Sequence, residues 1–167
     1  NKLVFILIIG VITLVSQTTL LGLLLPTAYK PDMFLIFVAW INLKVAFVPG
    51  AIFVFFLGMV VDIFSGSPTG LFAIIYILAF MICGYFDANL QISGAIGYAM
   101  IIFFLSLFSG VLVFFGRWLT AQAVIGSHAY LWFIIKSLVT AFVSLLVFPL
   151  LDRFHASYLR FIGESRE

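Results

Sequence analysis

The chain has 167 residues, of which 65% are hydrophobic and 8% charged, and a formal net charge of +2. A soluble domain is normally about a quarter charged, so this composition, with a mean hydropathy of +1.33, excludes a soluble globular protein and indicates a polytopic membrane protein. The small net charge gives no basic surface of the kind that nucleic acid requires, and the single Cys83 excludes an internal disulfide or a cysteine metal site.

Six apolar segments follow one another along the chain. The first, Leu3–Leu25, is closed by the run from Pro26 to Asp32. It is too long for the apolar core of a cleavable leader, and no small-x-small site follows it before Pro26, so it reads as a membrane helix. The second is Met33–Val48, interrupted only by Asn42 and Lys44, and the third is Pro49–Phe64, with Pro49 suited to a helix start. The fourth is Leu71–Phe86, the fifth Ile96–Phe115 and the sixth Tyr130–Leu151. Spanning ~30 Å of hydrocarbon takes about 20 helical residues. The second, third and fourth segments fall short of that, so they must thin the bilayer, snorkel their ends or be shielded by neighbours. Alternatively the second and third form one element bent around Val48-Pro49-Gly50, which leaves five crossings. The expected fold is an all-α transmembrane bundle of six helices, with five as the other option, over residues 1–151 as one domain.

Lys and Arg near the segment ends set orientation. With six crossings and the N-terminus inside, Lys2, Lys44, Arg153, Arg160 and Arg166 fall on one face, against Lys30, Arg117 and, if it snorkels outward, Lys136 on the other. Both termini are therefore expected in the cytoplasm. In the tail, residues 152–167, Phe154, Tyr158, Phe161 and Ile162 recur at helical spacing between polar residues. This pattern predicts a short amphipathic helix in the cytoplasmic headgroup layer.

The most informative stretch runs from Phe53 to Gly70. A long apolar run reaches the carboxylate of Asp62 and then breaks into Ser65-Gly66-Ser67-Pro68-Thr69-Gly70. A charge at the centre of a membrane helix costs ~2.5–3.5 kcal/mol, so Asp62 is expected one turn inside a boundary, at a helix end that the Gly/Pro cluster marks. Converging catalytic groups are scarce. His128 and His155 fall on opposite predicted faces, no His pair has helical spacing, and Gly66–Gly70 lacks the Lys of a phosphate loop. No enzyme activity, cofactor or metal is expected. Gln17 and Asn42 are expected to bond to neighbouring helices rather than to a solute. Lys136, about two turns into the sixth segment, pairs with Asp62 or Asp32 or snorkels. Small residues form stripes at Ser106, Ser109 and Gly110 and at Ser137, Thr140, Ala141 and Ser144. Such stripes serve close packing inside a bundle or receive a partner's helix.

The segment Lys30-Pro31-Asp32, an apolar run with Trp40, then Gly50, Gly58 and Asp62-Ile63-Phe64-Ser65-Gly66-Ser67-Pro68-Thr69-Gly70 resembles the MreD family of bacterial rod shape-determining proteins. In that family the stretch reads as a Pro-Asp or Pro-Asn start, an apolar helix, then G-x-x-x-D-x-x-S-G-S-x-x-G. Here Pro31, Asp32, Gly58, Asp62, Ser65, Gly66, Ser67 and Gly70 match it, and the likeness covers about Lys30 to Tyr85. The resemblance implies a non-enzymatic scaffold in the bacterial inner membrane. It would bind the bitopic protein MreC and help couple MreB filaments to RodA and a penicillin-binding transpeptidase, and so to peptidoglycan synthesis and cell shape. Asp62 and the Ser65–Gly70 turn are expected to form a rigid elbow, either near a partner-binding surface or holding only the protein's own helices in register. A second expectation is a substrate-binding subunit of an energy-coupling-factor vitamin transporter, whose architecture the family is thought to share. Such a subunit needs an outward polar pocket, for which Trp40, Asn42, Tyr76, Trp118 and Trp132 are the candidate lining. The Ala-x-x-x-Ala motif usual on its first helix is absent from Leu3–Val15. A proton-coupled carrier using Asp62 lacks paired broken helices.

Overall fold

The computed structural model describes residues 2–15, 17, 30–65, 69–90, 95–119 and 129–164. Over these residues the chain forms helices α1 Lys2–Val15, α2 Met33–Lys44, α3 Phe47–Ser65, α4 Leu71–Leu90, α5 Ala95–Leu119 and α6 Ala129–Glu164. The described residues contain no strand. α3, α4, α5 and α6 are long and apolar enough to cross a membrane. The protein is a helical, multi-pass membrane bundle.

α2 is its axis. It touches each of the other described helices, and every residue from Phe34 to Ile41 is buried. Because neighbouring helices enclose it, its 12 residues, about 18 Å of rise, need not match the bilayer. Asp32 caps it, accepting the Leu35 N–H at 3.1 Å, and α1 lies against it with Gly10 beside the Phe37 ring.

Several boundaries differ from expectation. The second segment stops at Lys44 rather than Val48, because Val45 is extended (φ −122°, ψ 142°). α3 then starts at Phe47, so Pro49 falls inside its first turn, where the missing N–H has no intrahelical acceptor to lose. α2 and α3 are thus two helices rather than one bent element. They run antiparallel, with Gly50 near Ile41 at one end and Val61 sharing a cavity with Asp32 at the other. α4 extends to Leu90 and α5 to Leu119, past the apolar runs. The tail is helical as far as Glu164, but as an unbroken continuation of α6, not a separate helix. The 36 residues from Ala129 to Glu164 carry Pro149 inside them, and their rise is about 54 Å.

The outward faces are apolar. Ile96, Met100, Phe104, Phe108, Val111 and Phe115 form an exposed stripe on α5, and Leu131, Ile134, Leu138, Phe142, Leu146 and Leu150 form one on α6. Water would penalise stripes of this extent, whereas lipid does not.

Candidate functional site

The family-like motif builds a helix junction. Gly58 and Asp62 lie one turn apart on α3, both buried, and both face the first turn of α4. Asp62 Oδ2 accepts the Gly70 N–H at 2.9 Å and the Ala73 N–H at 3.4 Å, while Oδ1 accepts the Phe72 N–H at 2.9 Å. The first N–H groups of a helix have no intrahelical acceptor and carry the positive end of its dipole, so a buried carboxylate is well placed there. Asp62 is therefore a capping group delivered from the preceding helix. Gly58 permits the approach, since a Cβ on it would stand 2.4 Å from Ala73 Cα. Gly70 closes the turn with φ +93°. Ser65 donates to the Asp62 carbonyl at 3.4 Å. Gly66, Ser67 and Pro68 lie outside the described residues.

Next to this junction sits a second polar group, around Asp32. Asp32 is 3% exposed, and its backbone N–H donates to Thr140 Oγ1 on α6 at 3.1 Å. The Tyr76 hydroxyl donates to Asp32 Oδ1 at 3.5 Å, and Lys136 Nζ stands 3.8 Å from Oδ2. Of the partners open to Lys136, the structure selects Asp32. Gln17 Oε1 accepts the Phe34 N–H at 3.2 Å, tying the stretch after α1 to the start of α2. A cavity of about 160 Å³ lies among these groups, and Phe72, bonded through its backbone to Asp62, contributes its ring to the wall.

The opposite end carries a network that sequence reading missed. Lys44 Nζ pairs with Asp152 Oδ1 at 2.9 Å. The Trp40 indole donates to the same oxygen at 3.1 Å, and its ring meets His155 edge-on at 5.7 Å between centroids. The available signal was a lone carboxylate and a lone ammonium, each closing an apolar run. Tyr98 on α5 donates to Asp87 on α4 at 2.8 Å, a second missed pair.

Asn42 donates to the Phe80 carbonyl at 3.0 Å, so it holds α2 to α4. Of the residues named for a vitamin pocket, Tyr76 lines the cavity, Trp40 and Asn42 are engaged elsewhere and Trp118 is exposed. The Trp132 side chain and His128 lie outside the described residues. The stripe residues Ser106, Ser109, Ser137, Thr140 and Ser144 are buried. α5 and α6 make the most extensive helix pair, with Gly110 against the Phe133 ring. Ser137, Thr140 and Ser144 hydroxyls donate to carbonyls of their own helix, at Phe133, Lys136 and Ala141. Ala141 is half-buried and borders an apolar surface groove beside Met100 and Phe104.

Among the described residues no three His, Cys, Asp or Glu side chains gather where they would hold a metal ion. No family model, curated protein or solved structure matches the chain.

Proposed function

We propose that this chain is a non-enzymatic, MreD-like scaffold of the bacterial cell-elongation machinery. In this reading it sits in the inner membrane, grips a bitopic MreC-like partner and helps link MreB filaments to RodA and its penicillin-binding transpeptidase. The observation that carries the reading is the Gly58–Asp62–Gly70 junction. Gly58, Asp62 and Gly70, three of the residues that resemble the family motif, fix the angle between two membrane helices, which is what a rigid platform needs and a reactive centre does not.

The polar side chains elsewhere support it. Asn42, Trp40 and Lys44 all bond between helices, which stiffens the bundle. The outward stripes of α5 and α6, with apolar grooves on both sides of Met100 and Phe104, suit a partner's single transmembrane helix. Lys44 pairs with Asp152 at the end from which Arg153 and Arg160 continue. The positive-inside rule makes this the cytoplasmic end. A vitamin-binding subunit is the less favoured reading, since a cavity of about 160 Å³ is below the roughly 300–1,000 Å³ of drug-sized sites.

Depletion of the protein in its own cells tests the reading. Rods that round up and regain their shape when the chain is supplied again support it, and cells that stay rod-shaped through depletion overturn it.

A further inference from the structure

The cavity beside Asp32 holds two opposite charges apart. The side chains of Asp32 and Lys136 are 4% and 38% exposed, and their closest approach is 3.8 Å. That is well beyond the ~2.7–2.9 Å of a charge-assisted hydrogen bond. Asp32 Oδ1 takes the Leu35 N–H and the Tyr76 hydroxyl. Oδ2 faces Lys136 and, among the described residues, no other donor. An ammonium has three N–H donors, and one loose ion pair does not satisfy them. Phe34, Phe72 and Tyr76 supply aromatic wall to the same space, and ring faces attract cations.

The charge pattern selects the occupant. An anion drawn to Lys136 meets the Asp32 carboxylate, and a cation drawn to Asp32 meets Lys136. A molecule carrying both charges replaces one loose pair with two closer ones. We propose that this cavity binds a small zwitterion, its primary ammonium toward Asp32 and the aromatic wall and its oxyanion on Lys136. At about 160 Å³ the space admits a group of phosphoethanolamine size, borne by a phospholipid or free in solution. The site is independent of any scaffold role.

The test uses the full chain in phosphatidylglycerol nanodiscs, titrated calorimetrically with phosphoethanolamine, ethanolamine and inorganic phosphate in turn. Saturable binding of phosphoethanolamine, about tenfold or more tighter than either half, is the expected result. K136M should lose that preference and K136R should keep it. Repeating the titration in phosphatidylethanolamine nanodiscs identifies the source. Loss of the signal there means that the lipid headgroup already fills the site, and persistence means a free solute; both uphold the zwitterion. Equal affinity for the zwitterion and its halves, or no binding in phosphatidylglycerol, overturns the proposal on the unaltered chain, whatever the variants do.

Discussion

Gly58 of α3 and Ala73 of α4 are in backbone contact: a Cβ on Gly58 would stand 2.4 Å from Ala73 Cα and 2.7 Å from its nitrogen. Helix propensity alone would favour Ala at position 58 by about 1 kcal/mol. The contact reverses that sign, because the atoms that would have to move are backbone. Gly58→Ala is expected to destabilise the bundle by about 1–3 kcal/mol, read from unfolding in mixed micelles. Unchanged stability would mean that the two helices separate without cost.

Asp62 should be graded by what replaces it. Asp62→Ala leaves the Gly70, Phe72 and Ala73 N–H groups without their acceptor, at about 1–3 kcal/mol for each buried donor left unsatisfied. Asp62→Asn retains one oxygen and loses the charge that faces the helix dipole, so it should fall between Ala and the parent. Hydrogen exchange at Phe72 and Ala73 checks the mechanism. Both amides should exchange faster in D62A, while amides near Asn42 change less.

Gly70 matters for a different reason. A Cβ there meets nothing within 4 Å, but φ is +93°. Gly70→Ala should therefore cost about 1–2 kcal/mol through backbone strain alone, and Gly70→Asn less, since Asn tolerates positive φ better. Equal losses in thermal unfolding would point to a steric cause that the structure does not contain.

Much of this junction was legible in the sequence, because a lone carboxylate ending an apolar run and followed by Gly, Ser and Pro is a strong local mark. Its target was not. That Asp62 caps the next helix depends on the approach at Gly58, which is a tertiary contact. The burial of α2 was equally hidden. Lipid tails are as apolar as Leu, so hydropathy cannot tell a helix enclosed by protein from one facing lipid, and Phe34–Ile41 reads the same either way. The Asp152 network joins residues 108 and more positions apart, from Lys44 and Trp40, and no local pattern signals such a pairing. The continuation of α6 through Pro149 was missed because the change from apolar to amphipathic composition at Asp152 resembles a boundary.

Lys136 and Asp32 should be energetically coupled. Lys136→Met strands a buried carboxylate, and Asp32→Asn removes the charge that Lys136 faces. The double variant should therefore be more stable than the two single losses predict, by about 0.5–3 kcal/mol. Strict additivity in unfolding measurements would show that the 3.8 Å pair contributes nothing.

The scaffold reading is tested most directly by co-expressing the tagged full chain with the neighbouring cell-shape proteins and measuring what co-purifies in mild detergent. Stoichiometric recovery of a bitopic MreC-like protein, weakened by Gly58→Ala, is the predicted result. Recovery of the folded chain alone, or with a vitamin-like molecule in place of a protein partner, would contradict it.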